Sequence, residues 1–456
     1  MFTTRLRSAV GLLLVAGVGL SAAACGNNND DASGKDSNGV VTLTINGLPP
    51  ATEKVNHDRF MANVAEFEKA NPTIKLKVNE GKMDPQTFQA KLAGGQLEDV
   101  FYVYFTDPAN LIAKHQVSDV SKYLKDYAPV TAQIKPEIMR VFQDDKGNTY
   151  GLPAKNYSIG LIYNRELFTK AGLDPNSPPK TWAEVRADAK KIAALGKDYV
   201  GYGDYSKNNT GGWHFTAELN SLGGDLAVND GGTWKANFNN ALGKQVLQQL
   251  KDMRWTDNSM GQKQLLEWAD LLNMMGSGKL GMYIATSDNI PTIVNQYKGR
   301  YESYGLGPIP EGKGTLGGGE GYMFKAGLSP DKIKAGLKWL TFWQTSPDRF
   351  QQEDQWAAST KQPVGLPEPA IYTGAAAAKQ AAADKQYANV PQQNYAPFIA
   401  AAGSIPVKFE PPNAQQLYAV LDVVMQKVLT DKNANIDQLL GNAETQINQI
   451  LSTVKQ

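Results

Sequence analysis

The stretch from residue 40 to residue 104 constrains the fold more than any other. Residues 40–46 (VVTLTIN) alternate β-branched and polar side chains, and a loop with Gly47, Pro49 and Pro50 follows. An amphipathic helix is expected over 57–69, where Phe60, Val64 and Phe67 recur at helical spacing. Residues 74–78 then read as a strand, 88–92 as a short helix and 100–104 as a buried strand. Strand, helix, strand, helix, strand is the pattern of a parallel sheet covered by helices, which places the chain in the α/β class. Such sheets take their ligands at the carboxyl ends of the strands, so the loops at 47–51, 80–84 and 106–110 are the first places to look for a site.

A second unit of the same kind follows Tyr150-Gly151-Leu152-Pro153: strand 159–163, helices 165–171 and 182–195, and strand 201–204. Helical stretches run on to Gly276, another strand covers 279–285, and amphipathic helices around 417–428 and 436–454 end the chain. Two discontinuous α/β lobes fit this order. Thr181 with Glu184 three residues later forms a capping box for the second helix, Pro178-Pro179 block its extension backwards, and Gly172 supplies the left-handed end of the first.

Cys25 is the only cysteine among 456 residues, so no disulfide can form within the chain and stability must come from core burial. It follows a basic start (Arg5, Arg7), an apolar run over 9–20 that is too short to span a bilayer, and the small residues Ser21 to Ala24. This segment resembles a bacterial lipoprotein signal. The resemblance implies removal of residues 1–24, lipidation of Cys25 and a membrane-anchored, extracytoplasmic protein. Residues 25–39, polar and without a large apolar side chain, read as a flexible tether.

Without Arg5 and Arg7 the count is 46 − 2 = 44 basic against 45 acidic residues, a balance that points to no nucleic-acid surface. His57, His115 and His214 are widely spaced and HExxH is absent, so no metal site is expected. No P-loop or GxSxG motif occurs. Gly312 to Gly317 fits GxGxxG, but the glycines that follow preclude the helix a dinucleotide site needs.

Residues 150–191 (YGLPAKNYSIGLIYNRELFTKAGLDPNSPPKTWAEVRADAKK) resemble the sugar-binding family of extracellular solute-binding proteins of bacterial ABC importers. Further similar pieces are GQLEDVF at 95–101, GKLGMYI at 278–284, YGLGPIP at 304–310, GGGEG at 317–321 and LKWLTFWQTSP at 337–347. The resemblance implies a periplasmic-binding-protein-like fold: two lobes joined by a hinge, with a ligand cleft between them. Lobe one is expected at 40–152 plus 321–366, lobe two at 153–320 plus 367–456. The crossovers are expected near 152–157 and 317–322, where glycines would absorb the dihedral change of hinge closure. It also implies a monomer without cofactor or enzymatic activity that passes its solute to the permease subunits of the importer.

A sugar offers apolar C–H faces and a rim of hydroxyls, so its site needs aromatic rings and planar amides or carboxylates. Candidates at strand ends and crossovers are Glu80, Asp107, Asn156, Tyr157, Trp213, Ser287, Asp288, Gly319, Glu320, Tyr322 and Trp356. Trp339 and Trp343, four apart on a helix, read as core. Two other readings remain open at this level. One is a binding protein for a peptide, polyol or organic phosphate; the scarcity of arginine near the candidate positions argues against an anion. The other is a surface glycoside hydrolase, which needs a pair of carboxylates across one bond.

Overall fold

A computed structural model describes residues 34–454 apart from 85–86 and 344. The expected signal segment, Cys25 and most of the tether lie outside the described residues. Twelve strands are present among those described: β1 (Val41–Leu48), β2 (Ile74–Glu80), β3 (Val100–Tyr104), β4 (Gly151–Ser158), β5 (Gly160–Asn164), β6 (Val200–Tyr202), β7 (Ala227–Asp230), β8 (Thr233–Ala236), β9 (Leu280–Ala285), β10 (Tyr304–Pro308), β11 (Thr315–Phe324) and β12 (Val407–Phe409). One sheet has the order β12-β11-β3-β1-β2, with β4 also paired to β11; a second has the order β10-β5-β9-β6, and β7 and β8 form a two-stranded third. β1 lies parallel to both β2 and β3.

The first unit forms as the sequence suggests. Phe60, Val64 and Phe67 of helix Lys54–Ala70 are buried, and Phe67 meets Trp339 edge-on at 5.2 Å between ring centres. Helix Trp182–Ala193 opens with the expected box: Glu184 N donates to Thr181 Oγ1 at 3.2 Å, and Thr181 N donates to Glu184 Oε2 at 3.1 Å. β5 and β9 are buried at every residue, as strands covered on both faces must be. No helix among the described residues is long and apolar enough to cross a membrane.

The buried apolar side chains form three clusters. Leu43, Phe101, Leu152, Tyr322 and Trp339 belong to the first-lobe cluster; Ile159, Trp182, Leu316, Tyr418 and Ile447 belong to the larger of two second-lobe clusters, and Ile162, Tyr283 and Tyr304 to the smaller. The switch therefore falls inside β4, between Leu152 and Ile159, and inside β11, between Leu316 and Tyr322. These strands form one antiparallel ribbon from Gly317–Ser158 to Met323–Gly151, while the opposite edge of β11 pairs with β12 over Thr315–Gly317 and with β3 over Glu320–Phe324.

Two expected boundaries shift. The first core does not stop at 366: Ile371, Tyr372 and Ala376 belong to it, because Lys135 N donates to Ile371 O and Thr373 N to Gln133 O. The last residues of the expected tether are tied down. Lys35 pairs with Asp331 at 3.0 Å, and Asp36 accepts from the backbone of Asn38 and Val40. The glycines of β11, at the expected second crossover, lie in ordinary extended backbone. They are needed for close packing: a Cβ at Gly318 would strike the Tyr157 hydroxyl, at Gly319 the Lys155 carbonyl, and at Gly321 the Phe142 ring.

Candidate ligand cleft

The ribbon β4–β11 carries Lys155, Tyr157 and Glu320 across the line where the two cores meet, and the surrounding loops bring carboxylates and rings to them. Lys155 Nζ binds Glu368 at 2.8 Å; Glu368, Asp288 and Glu320 outweigh the burial that disfavours its charge and keep it firmly protonated. Glu320 accepts from the Tyr102 hydroxyl and from Lys82 Nζ at 3.2 Å, and Lys82 also sits 5.2 Å above the Tyr102 ring. The lobe-one wall is thus a set of committed ion pairs.

The other wall is aromatic. Tyr157 and Trp213 meet edge-on at 6.3 Å, and the Trp213 indole reaches the Tyr157 hydroxyl. Behind Trp213, the His214 ring lies 5.5 Å from it and 4.0 Å from Tyr205, tilted by 31° and 35°. His214 Nδ1 is bonded to Asp204, and both side chains are sealed from solvent. Glu218, one turn on, accepts from the Tyr202 hydroxyl at 3.1 Å; burial holds its carboxyl well above the usual carboxylate range, and the nearby Asp204 adds to this. Asp204 Oδ2, His214 Nε2 and Glu218 Oε2 have no hydrogen-bond partner among the described residues.

Glu410 joins the two walls. It accepts from the Tyr418 hydroxyl at 2.8 Å and bonds Tyr157. It keeps part of its surface open to the cleft, yet protein surrounds it on most sides; this burial, with the nearby Asp107, pushes its carboxyl up to about 7. Burial likewise pushes Asp107 up to about 7, against the Thr106 hydroxyl that favours its ionised form.

The structure gathers Asp107, Tyr157, Trp213, Asp288 and Glu320 of the sequence candidates. Asp288 is exposed at the end of β9, where it accepts from Thr286 Oγ1 and from Asn289 Nδ2. Asn156 is 8% exposed, with its Oδ1 unpartnered. The others have different surroundings. Tyr322 is in the first core, 5.8 Å from Tyr102, because the β11 register turns it inward. Ser287 is buried, and Gly319 lies against Lys155 and Phe105. Glu80 is exposed at the end of β2 and makes no bond to this group. Trp356 has one face covered by the Arg59 guanidinium at 5.1 Å.

Sequence reasoning missed Lys155, Tyr104, Glu410 and Trp268. Trp268 is 41% exposed, and its Nε1 donates at 2.8 Å to Asn289 Oδ1, beside Asp288. A large, partly exposed ring anchored through its Nε1 is suited to stacking on a sugar. Its position three residues before the apolar Leu271-Leu272 pair gives it the spacing of a core residue, so no local signal marks it.

A Brucella abortus protein is 33% identical over 264 residues, 55% of this chain and 60% of that one. The sn-glycerol-3-phosphate-binding periplasmic protein UgpB of Brucella melitensis is 29% identical over 234 residues, 47% of this chain and 49% of its own length. The matched stretch thus spans about half to 60% of these relatives. Two solved structures share the fold almost end to end. An ABC transporter solute-binding protein of Thermotoga lettingae with α-D-tagatose has TM-score 0.71 and 22% identity, covering 90% of this chain and 99% of that one. UgpB of Mycobacterium tuberculosis with glycerophosphocholine has TM-score 0.71 and 15% identity, covering 91% and 99%. The architecture is therefore the two-lobed α/β fold of periplasmic binding proteins. The model of the bacterial extracellular solute-binding protein family matches residues 54–349, and the chain belongs to that family.

Proposed function

We propose that this protein captures a carbohydrate between its lobes and hands it to the permease of an ABC importer, anchored to the cell membrane through lipidated Cys25. One observation carries the choice of solute: the cleft combines open aromatic rings and hydrogen-bond acceptors with cations already paired to protein carboxylates. Lys82 binds Glu320 and Lys155 binds Glu368, whereas Asp107, Asp288 and Glu410 bind only hydroxyl or amide groups among the described residues. Carboxylates so placed accept sugar hydroxyls in pairs, while Trp213 and Trp268 offer rings to the C–H faces. Capture involves no chemistry. Ligand that touches both walls favours the closed form, and the closed population rises by that difference in affinity.

A glycerophosphodiester is the second reading, favoured by the UgpB relatives and by the structural likeness to UgpB with glycerophosphocholine. It needs a cation freed for the phosphate. Thermal melting with mono-, di- and oligosaccharides against sn-glycerol-3-phosphate and glycerophosphocholine separates the two. A ligand at a hundred times its Kd stabilises by about 2.7 kcal/mol. Melting that rises only with the phosphates overturns the carbohydrate reading. The anchor is checked separately: Cys25→Ser is expected to abolish incorporation of labelled fatty acid, and retained label would refute lipidation.

A further inference from the structure

A cavity of about 110 Å³ lies between the lobes, with Asp107 in its wall. Lobe one contributes Gln89 and Asn110; lobe two contributes Asn413 and Gln416 from the start of helix Ala414–Thr430. Asn110 and Asn413 are half-buried, Gln89 and Gln416 are exposed at the rim, and none of these four side-chain amides makes a hydrogen bond among the described residues. By contrast, their neighbour Gln415 is committed, accepting from Asn209 Nδ2 at 3.2 Å. Asn413 stands where a helix is ordinarily capped, yet its side chain caps nothing and its backbone is left-handed, with φ of 59°. Met83 and Phe88 supply an apolar surface.

The cavity adjoins the aromatic wall. Glu410, three residues before Asn413, lies within electrostatic reach of Asp107, and Asp107 within reach of Tyr104. One water needs about 10–15 Å³ of such space, so there is room for roughly eight water-sized groups, most of a pyranose ring, with the remainder reaching out past the exposed Gln89 and Gln416. Unpaired planar amides from both lobes, one carboxylate and an apolar surface match such a ring in chemistry.

We propose that this cavity is a second sugar-ring subsite, so that the guest has at least two rings: one against Trp213 and Tyr157, the next among Gln89, Asn110, Asn413 and Gln416. This rests on the carbohydrate reading of the cleft and specifies the ligand's length. Once the second ring is in place, amides of both lobes hold it, which couples guest length to closure.

Calorimetric titration with glucose, maltose and maltotriose, and with the matching galactose and mannose series, tests it. In the series that binds, the disaccharide is expected to bind at least tenfold tighter than the monosaccharide. Asn110→Ala and Gln416→Ala, each with unchanged melting temperature, are expected to cost the disaccharide three- to tenfold while shifting the monosaccharide less than twofold. The double variant is expected to depart from the product of the singles, because both side chains hold one ring. A second ring that adds no affinity, or variants that weaken both guests equally, overturns the subsite and leaves the carbohydrate reading standing. Binding of no saccharide at all overturns both.

Discussion

The two walls of the cleft are built on opposite principles. The lobe-two wall is a stack of rings, Trp213 on His214 on Tyr205, backed by the sealed Asp204, His214 and Glu218. The lobe-one wall is a set of partly exposed charges, Lys82, Glu320 and their neighbours. The first holds a shape and the second holds a potential. Removing a sealed ionisable partner leaves a stranded group, whereas removing an exposed one is largely compensated by water and salt.

The largest effect expected from that contrast is in lobe two. His214→Ala strands the buried Asp204 carboxyl and is expected to cost about 3–5 kcal/mol in urea unfolding. A loss below about 1 kcal/mol would dissolve the distinction between the walls. Next comes Trp213→Ala, which keeps the network but removes the ring: sugar affinity is expected to fall by about 1–3 kcal/mol, on the order of ten- to a hundredfold, measured by calorimetry. Unchanged affinity would take Trp213 out of the site.

A smaller effect concerns protons, and each wall contributes one group. Asp107 and Glu410 are both held at about 7 when folded, above ordinary carboxylate values near 4. Between roughly pH 4 and 7 the folded state therefore holds more protons than the unfolded chain. Their contribution to stability is largest at the acid end of that window, declines as pH rises through it, and is flat above. Glu410→Gln or Asp107→Asn is expected to raise the melting temperature at pH 8 relative to pH 5 by a few degrees compared with the parent protein. Parallel pH profiles for parent and variants would refute this. Smallest of all, Lys82→Ala breaks an ion pair whose lysine is 57% exposed; a cost under about 1 kcal/mol in affinity, shrinking with added salt, is expected in titrations at two ionic strengths. A large, salt-independent loss would mean that lobe one grips as rigidly as lobe two.

Much of the fold is local and therefore legible. The alternation of residues 40–46, the spacing of Phe60, Val64 and Phe67, and the Thr181–Glu184 box each act within a few residues, and each forms as read. Strand ends pointed to Asp107 and Asp288 for the same reason. What failed depends on distant partners. Tyr322 follows the triple glycine closely enough to look exposed, but the β11 register against β3 sends it into the core. Glu410 has no local signal; its character comes from Tyr157 and Tyr418. Nor can sequence show Tyr157, Phe105 and Phe142 pressed against the β11 glycines.

The ribbon of β4 and β11 has a consequence for modularity. Because each of these strands begins in one core and ends in the other, neither half is an autonomous folding unit, and no cut in the chain separates them without baring a strand edge. Heat should melt the protein in one concerted transition. Exchanging a single lobe with a relative, to redirect specificity, would require transplanting the shared ribbon with it.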